Sequence, residues 1–329
     1  MAEWIYEHGI GENRAALVDQ GRIIEALIER EDGGPRAGAV VAARLTKITV
    51  PGKRGLLTLA DGGEAWIEPL PPGVAEGGAL NVEIVREAIP ESGRPKPPRA
   101  ARSDLAPRGA PTLRQRIAGA PVRMLAAHEP DLLEQAGWSE LIDEAIGGEI
   151  TFARGALRIS LTPAMTLIDV DGDLPPAQLA RAGAAAAAAA IRRLDITGSI
   201  GIDLPTVAGK AERTAAAEAF DEMLPQPFER TAINGFGFMQ VIRRRVRPSL
   251  PELLRADPAL SAALILLRRA QRTPGAGPLT LTAHPAVTNV LQNQASWLAE
   301  LARHIGAPVG LHGDAGRSIS AGDAKREHP

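Results

Sequence analysis

The sequence predicts an α/β protein that carries a small β-barrel near its N-terminus. Short strand-like runs punctuated by turn residues fill the first quarter of the chain. From about residue 138 onward, strand-like and helix-like runs alternate. In that second region one apolar run ends in three aspartates at alternating positions, which marks a candidate site.

The opening runs Trp4 to Glu7, Arg14 to Asp19 and Arg22 to Glu29 read as strands, with Gln20-Gly21 as a two-residue hairpin turn. Ala39 to Val50, Gly55 to Leu59, Glu64 to Glu68 and Ala79 to Arg86 follow. Pro51-Gly52, Asp61-Gly62-Gly63 and Pro71-Pro72-Gly73 separate them. Strands this short and this closely spaced suggest a barrel of the OB or S1 type, although a fragment of a β-sandwich gives the same pattern. Residues 90–123 then change character. Prolines recur, and Arg94, Lys96, Arg99, Arg102, Arg108, Arg114, Arg116 and Arg123 outnumber the acids. A basic linker of this kind suits a polyanion, because phosphate contacts dominate nucleic-acid affinity; a solvated linker fits equally.

Downstream, Ser139 to Ala145 reads as a helix, Glu149 to Ala153 and Leu157 to Leu161 as a hairpin, and Met165 to Val170 as a buried strand. Pro175-Pro176 open an Ala-rich helix to about Leu194, since proline is tolerated in a first turn. A strand at Ser199 to Leu204, a helix over about 209–223, and strands at Phe228 to Ile233 and Phe238 to Arg243 come next. The remainder reads as helix 259–271, strand 279–283, one long helix 286–304 and strand 308–311. A polar tail starts at Ser318.

Composition narrows the function classes. A chain of 329 residues suggests about two domains. It has no cysteine, which excludes disulfides, thiolate metal sites and a Cys nucleophile. The formal net charge is −2, yet only five of the 37 basic residues are Lys. That arginine bias fits phosphate recognition and equally fits a GC-rich coding sequence. No apolar run approaches the ~20 residues of a membrane span. Glu3, Glu7 and His8 replace the basic n-region of a secretory signal, so a cytoplasmic protein without a membrane partner is expected.

The candidate chemistry centres on Met165-Thr-Leu-Ile-Asp169-Val-Asp171-Gly172-Asp173. Side chains two apart on a strand point the same way, so Asp169 and Asp171 can converge. Asp173, ahead of two prolines, reads as a helix N-cap. Ser199-Ile-Gly-Ile-Asp203 repeats the pattern 34 residues after Asp169, the length a strand–helix–strand unit consumes. The spacing predicts Asp169 and Asp203 side by side at the C-terminal ends of parallel neighbours, where α/β folds place their sites. Clustered carboxylates suit Mg²⁺, which engages substrate phosphate while keeping several waters. A third element, Phe236-Gly237-Phe238 through Arg243, Arg244, Arg245 and Arg247, could hold a phosphate backbone and stack a base. Alternatively Phe236 and Phe238 are core residues.

These segments resemble the ribonuclease E/G family. Thr166-Leu-Ile-Asp169-Val-Asp171-Gly is similar to its first catalytic strand. Arg193-Leu-Asp195, Gly198 and Ile202-Asp203 are similar to the approach to its second catalytic aspartate. Phe236-Gly237, Arg243, Arg245 and Pro248-Ser249-Leu250 resemble its phenylalanine-glycine strand and Pro-Ser-Leu end. The resemblance implies a ribonuclease H-like fold with an inserted S1/OB-like barrel. It implies residues 1–36 as a hairpin belonging to the ribonuclease H-like domain, 37–90 as the barrel and 91–137 as the basic linker. Residues 138–317 become the catalytic domain and 318–329 a disordered tail.

By the same likeness, Asp169 and Asp203 bind Mg²⁺ for hydrolysis of single-stranded RNA, with Asp171 assisting where the family has Asn. Phe236, Arg243 and Arg245 contact RNA, and Trp66 is the barrel's stacking platform. Leu57 stands near where the family carries an aromatic. The stretch 100–148 lacks the family's segment for sensing a 5′ monophosphate, and without cysteines a homo-oligomer would form with no zinc link. Two alternatives stay open: an inactive RNA-binding protein of the same fold, and a haloacid dehalogenase-like phosphatase using Asp169 and Asp171.

Overall fold

Turn geometry fixes the start of the chain. In the computed structural model, which describes residues 2–31, 33–91 and 95–326, β1 (Glu3–His8), β2 (Glu12–Asp19) and β3 (Arg22–Arg30) form an antiparallel meander. Gln20 and Gly21 both adopt positive φ, as a tight two-residue turn between twisted strands requires.

Next come β4 (Val40–Val50), β5 (Arg54–Leu59), β6 (Glu64–Ile67), β7 (Ala79–Arg86) and β8 (Arg99–Arg102), which close into a barrel in the order β4-β5-β6-β8-β7. The inward residues alternate along each strand: Leu57 and Leu59, Ala65 and Ile67, Val82 and Ile84, then Ala100. Leu57 is therefore core. Barrel closure comes from β8, which pairs parallel with β6 and antiparallel with β7. This corrects the expectation that residues 91–137 are a linker. The arginines flanking Ala100-Ala101 mask a strand whose one core side chain is a methyl group. Arg94, one of the basic residues noted above, lies outside the described residues.

The same stretch continues with α1 (Leu113–Arg116), β9 (Val122–Leu125), α2 (Leu132–Gln135) and α3 (Trp138–Gly147). Strand β9 pairs in parallel with β1, giving a four-stranded sheet β3-β2-β1-β9.

A six-stranded sheet follows, built from β10 (Glu149–Phe152), β11 (Gly155–Leu161), β12 (Thr166–Gly172), β13 (Gly198–Asp203), β14 (Glu229–Arg230) and β15 (Phe238–Arg243). Its order is β10-β11-β12-β13-β15-β14. Helix α4 (Pro176–Arg193) crosses between β12 and β13, which pair in parallel as the spacing predicts. Its small residues permit close approach to the sheet. A Cβ on Gly183 would sit 2.3 Å from a Val170 methyl, so glycine is required there. Helix α5 (Lys210–Met223) packs on α4 and buries Phe220, whose ring meets Phe228 edge-on.

The chain ends with α6 (Leu250–Ala256), α7 (Pro258–Gln271), β16 (Leu279–Ala283), α8 (Pro285–Asn293), α9 (Ala295–Ile305), β17 (Val309–Gly313) and β18 (Asp323–Arg326). Gln294 leaves helical geometry, so the single helix expected over 286–304 is two. The expected disordered tail is corrected as well. Strand β18 pairs antiparallel with β16, and Arg326 bonds the Gly277 carbonyl at 2.8 Å. Residues 327–329 of that tail lie outside the described residues.

The chain divides into two compact units. The first contains Met1–Asp32, Ile117–Trp138 and Leu254–Pro329. It holds the four-stranded sheet, the three-stranded sheet β17-β16-β18, and a core of α7–α9 side chains around Leu264, Leu267, Leu281 and Trp297. Glu7 is buried there among Arg14 (3.2 Å), Arg268 (2.8 Å) and Arg272 (2.9 Å). The second unit, Gly33–Arg116 with Ser139–Leu253, holds the barrel and the six-stranded sheet. The N-terminal hairpin was expected to share a domain with all of 138–317. Instead its free edge is extended by β9, and it groups with the residues from Leu254 onward. Among the described residues no helix is long and apolar enough to cross a membrane.

Candidate active site

The candidate site lies on the face of the six-stranded sheet turned away from α4. Strand alternation sorts the residues. Ile168 and Val170 of β12, and Ile200 and Ile202 of β13, are buried. Asp169, Asp171 and Asp203 are exposed on the opposite face. The parallel register sets Asp169 directly opposite Asp203. Burial, and after it the charges of Asp171 and Asp203, push the Asp169 carboxyl above its ordinary value; Arg158 and the Val170 amide pull the other way.

Arg158 had no place in the sequence reading. It sits on β11 directly opposite Asp169, and its guanidinium reaches Asp171 at 3.5 Å and Glu149 at 3.6 Å. Only the hairpin register brings this cation to the aspartates, so no local signal could have found it. Asp173 is not the N-cap it was expected to be. Pro175 holds that position without a side-chain bond, and Asp173 is taken by Arg154 at 3.1 Å.

Beside the carboxylates the sheet has an apolar shelf. A Cβ on Gly201 would fall within 3.0 Å of Phe238, Leu167 and Met165, so these three converge over a residue with no side chain. Phe238 pairs directly with Asp203. The turn before it raises Phe236 to 83% exposure. Asn234, a second residue missed in the sequence, builds that turn: its side-chain oxygen accepts from the amides of Phe236 (2.9 Å) and Phe238 (3.0 Å). Gly237, at φ +92°, is required because a Cβ would lie 2.1 Å from the Leu204 carbonyl oxygen. Phe236 is thus an exposed aromatic in the turn that leads into Phe238, and the core alternative for it is excluded.

Arg243 and Arg245 are elsewhere. Strand β15 runs antiparallel to β13, so Arg243 pairs with Gly198 at the far end, ~17 Å along the strand from Phe238. Its guanidinium donates to the carbonyl oxygens of Ile196 (2.7 Å) and Ile191 (3.4 Å), satisfying groups at the end of α4. Arg245 pairs with Glu252. Arg243, expected to contact RNA, thus stands at the sheet end opposite the aspartates, with one guanidinium nitrogen bonded inside the fold. Trp66 lies on the outer barrel wall, half-buried, with the Arg54 guanidinium 5.8 Å from its ring centre.

Two facing carboxylates whose repulsion is only partly relieved suit a hard divalent cation, and Mg²⁺ is commonly held by one or two carboxylates with the rest of its shell water. Among the described residues, no group of three or more His, Cys, Asp or Glu side chains is assembled that could hold a metal, since Asp171 turns toward Arg158. Asp169 and Asp203 are the pair that could hold such an ion. No family model matches the chain, and no curated protein matches it.

Proposed function

We propose that this chain is a divergent, metal-dependent endoribonuclease of the ribonuclease E/G type, with a ribonuclease H-like catalytic core and an S1-type barrel, acting on single-stranded RNA. One observation carries the reading: Asp169 and Asp203 stand in direct register on an exposed face. Like charges directly opposite one another weaken a sheet, so this placement asks for a cationic partner.

When bound between the two carboxylates, Mg²⁺ would polarise a phosphoryl oxygen and acidify a water. The remaining work falls to the chain itself. Arg158 offers a planar donor fork to a phosphate lying beside Asp169. Phe236 supplies a π-face for one base, and the shelf of Met165, Leu167 and Phe238 keeps one side of the site dry.

A second reading, an RNA-binding protein without catalysis, is favoured by the Arg158–Asp171 ion pair, in which the protein's own cation occupies part of the acidic cluster. The phosphatase reading leaves Asp203 without a role and finds an arginine beside Asp171, so it is set aside.

The test is cleavage of a fluorescent single-stranded RNA with Mg²⁺, with EDTA, and by Asp203→Asn. Metal-dependent cleavage that falls at least ~100-fold in the variant supports the nuclease. RNA that stays intact yet is retarded in a gel by the wild type supports the binding protein.

A further inference from the structure

The arginines that the aspartates do not use gather at the other end of the sheet. Strand register sets Trp66 of β6 beside Arg99 of β8, and Arg99 beside Arg86 of β7. The chain after Arg86 then reaches the six-stranded sheet's own segment, because the Glu87 amide donates to the Val246 carbonyl at 2.8 Å. This brings Arg245 to the same place.

The three guanidiniums have unequal partners. Arg99 shares Glu68 with Arg54, at 3.2 and 3.4 Å. Arg245 has Glu252. Arg86 donates to the Pro97 carbonyl at 2.6 Å, and among the described residues no carboxylate forms an ion pair with it. The Nε–H groups of all three are buried without a hydrogen-bond partner. Burial, then repulsion from Arg99 and Arg245, lowers the pKa of Arg86 against the opposing charge of Glu91, so the neighbouring arginines outweigh the nearby carboxylate. Lys96, bonded to the Pro163 carbonyl at 3.4 Å, adds a further cation nearby that is paired with Glu91. In a chain of net charge −2, a convergence of arginines short of acids is a place for an external anion.

We propose that Arg86, Arg99 and Arg245 form a phosphate-binding cluster where the barrel meets the six-stranded sheet, and that it holds the backbone of single-stranded RNA. The identity of the phosphate as RNA rests on the RNA reading above; the cluster itself does not. A strand anchored here engages the protein at the sheet end opposite Asp203, so it would be held at two separated points. Arginine forks grip a phosphate bidentately without reading sequence, and such contacts register and orient a strand.

The test uses the full chain, a fluorescein-labelled 12-nucleotide oligouridylate, EDTA to prevent cleavage, and a KCl series read by anisotropy. Arg86→Gln and Arg99→Gln should each weaken binding and flatten the plot of log K against log[salt] by about 0.7, the share of one phosphate contact on a single strand. Arg86→Lys should keep most of that slope. If both Gln variants, folded by circular dichroism, keep the wild-type slope, the proposal is overturned. Calorimetry with inorganic phosphate separates the sources. If the wild type binds no RNA, the RNA reading fails alone; the cluster stands if phosphate binds and Arg99→Gln abolishes it, and falls if phosphate does not bind.

Discussion

Asp169 and Asp203 face each other across two parallel strands, each the last or nearly the last outward side chain before its strand ends. Helix α4 sets that register, and Gly183 lets α4 lie against Val170 closely enough to hold it. Two carboxylates fixed in this way cost the fold something that a cation can return.

Asp203→Asn should therefore raise the unfolding temperature in EDTA. An opposed like-charge pair is worth roughly 0.2–1 kcal/mol, or about 1–3 °C in a unit of this size. Mg²⁺ should stabilise the wild type and leave the variant where it was. Scanning calorimetry with and without the ion measures both, and a variant less stable than wild type in EDTA would show that the repulsion is already relieved.

Phe236→Ala should separate binding from stability. The side chain is 83% exposed, so its removal should change stability by no more than about 0.5 kcal/mol. Base stacking on an aromatic is worth ~1–3 kcal/mol, so affinity for a single-stranded oligonucleotide should fall between about 5-fold and 150-fold. Anisotropy titration alongside thermal melts is decisive. Unchanged affinity would remove Phe236 from the RNA path.

Gly183→Ala inserts a methyl group where Val170 already lies. Helix propensity favours alanine by ~1 kcal/mol, but overpacking a rigid sheet costs ~1–3 kcal/mol, so the net effect should be destabilising. Adding Val170→Ala should recover part of the loss. Urea denaturation of both variants checks it; a more stable Gly183→Ala protein would mean that α4 can move off the sheet.

The buried Glu7 carries a pH dependence. Burial by itself raises a carboxyl's pKa, but Arg14, Arg268 and Arg272 together outweigh it and hold Glu7 below its ordinary 4.5. A depressed folded value means that its stabilisation is fully present above pH 4.5 and is lost as pH falls through the folded value. Urea midpoints measured between pH 6 and 3 should drop for the wild type. Glu7→Gln, which leaves buried cations unpaired, should cost about 3–5 kcal/mol at pH 7 and flatten that dependence.

Much of this architecture was legible in the residues. Period-two alternation located Thr166–Gly172 and Gly198–Asp203, and their separation gave the parallel pairing that brings the aspartates together. What escaped notice depended on long-range register. Strands β8 and β9 hide among arginines and prolines, because a short strand inside a closed barrel or sheet needs only one buried side chain, here Ala100 or Leu125. Strand β18 reads as a polar tail, since its pairing with β16 is made by backbone groups. Phe238 and Arg243 lie five residues apart on one strand. The antiparallel direction of β15 sends the two to opposite ends of the sheet.

The first unit is assembled from three separated stretches of chain, the last beginning at Leu254. Emerging from a ribosome, the barrel and the six-stranded sheet can complete their pairing while β1 to β3 still wait for α7 to cover them. At ~5–20 residues per second, the 18 residues from Leu253 to the end of α7 at Gln271 take on the order of 1–4 s. During that interval Glu7 and Arg14 stand in water with their partners on α7 not yet made, which gives this chain a built-in order of maturation: the unit bearing the aspartates first, the unit that needs α7 second.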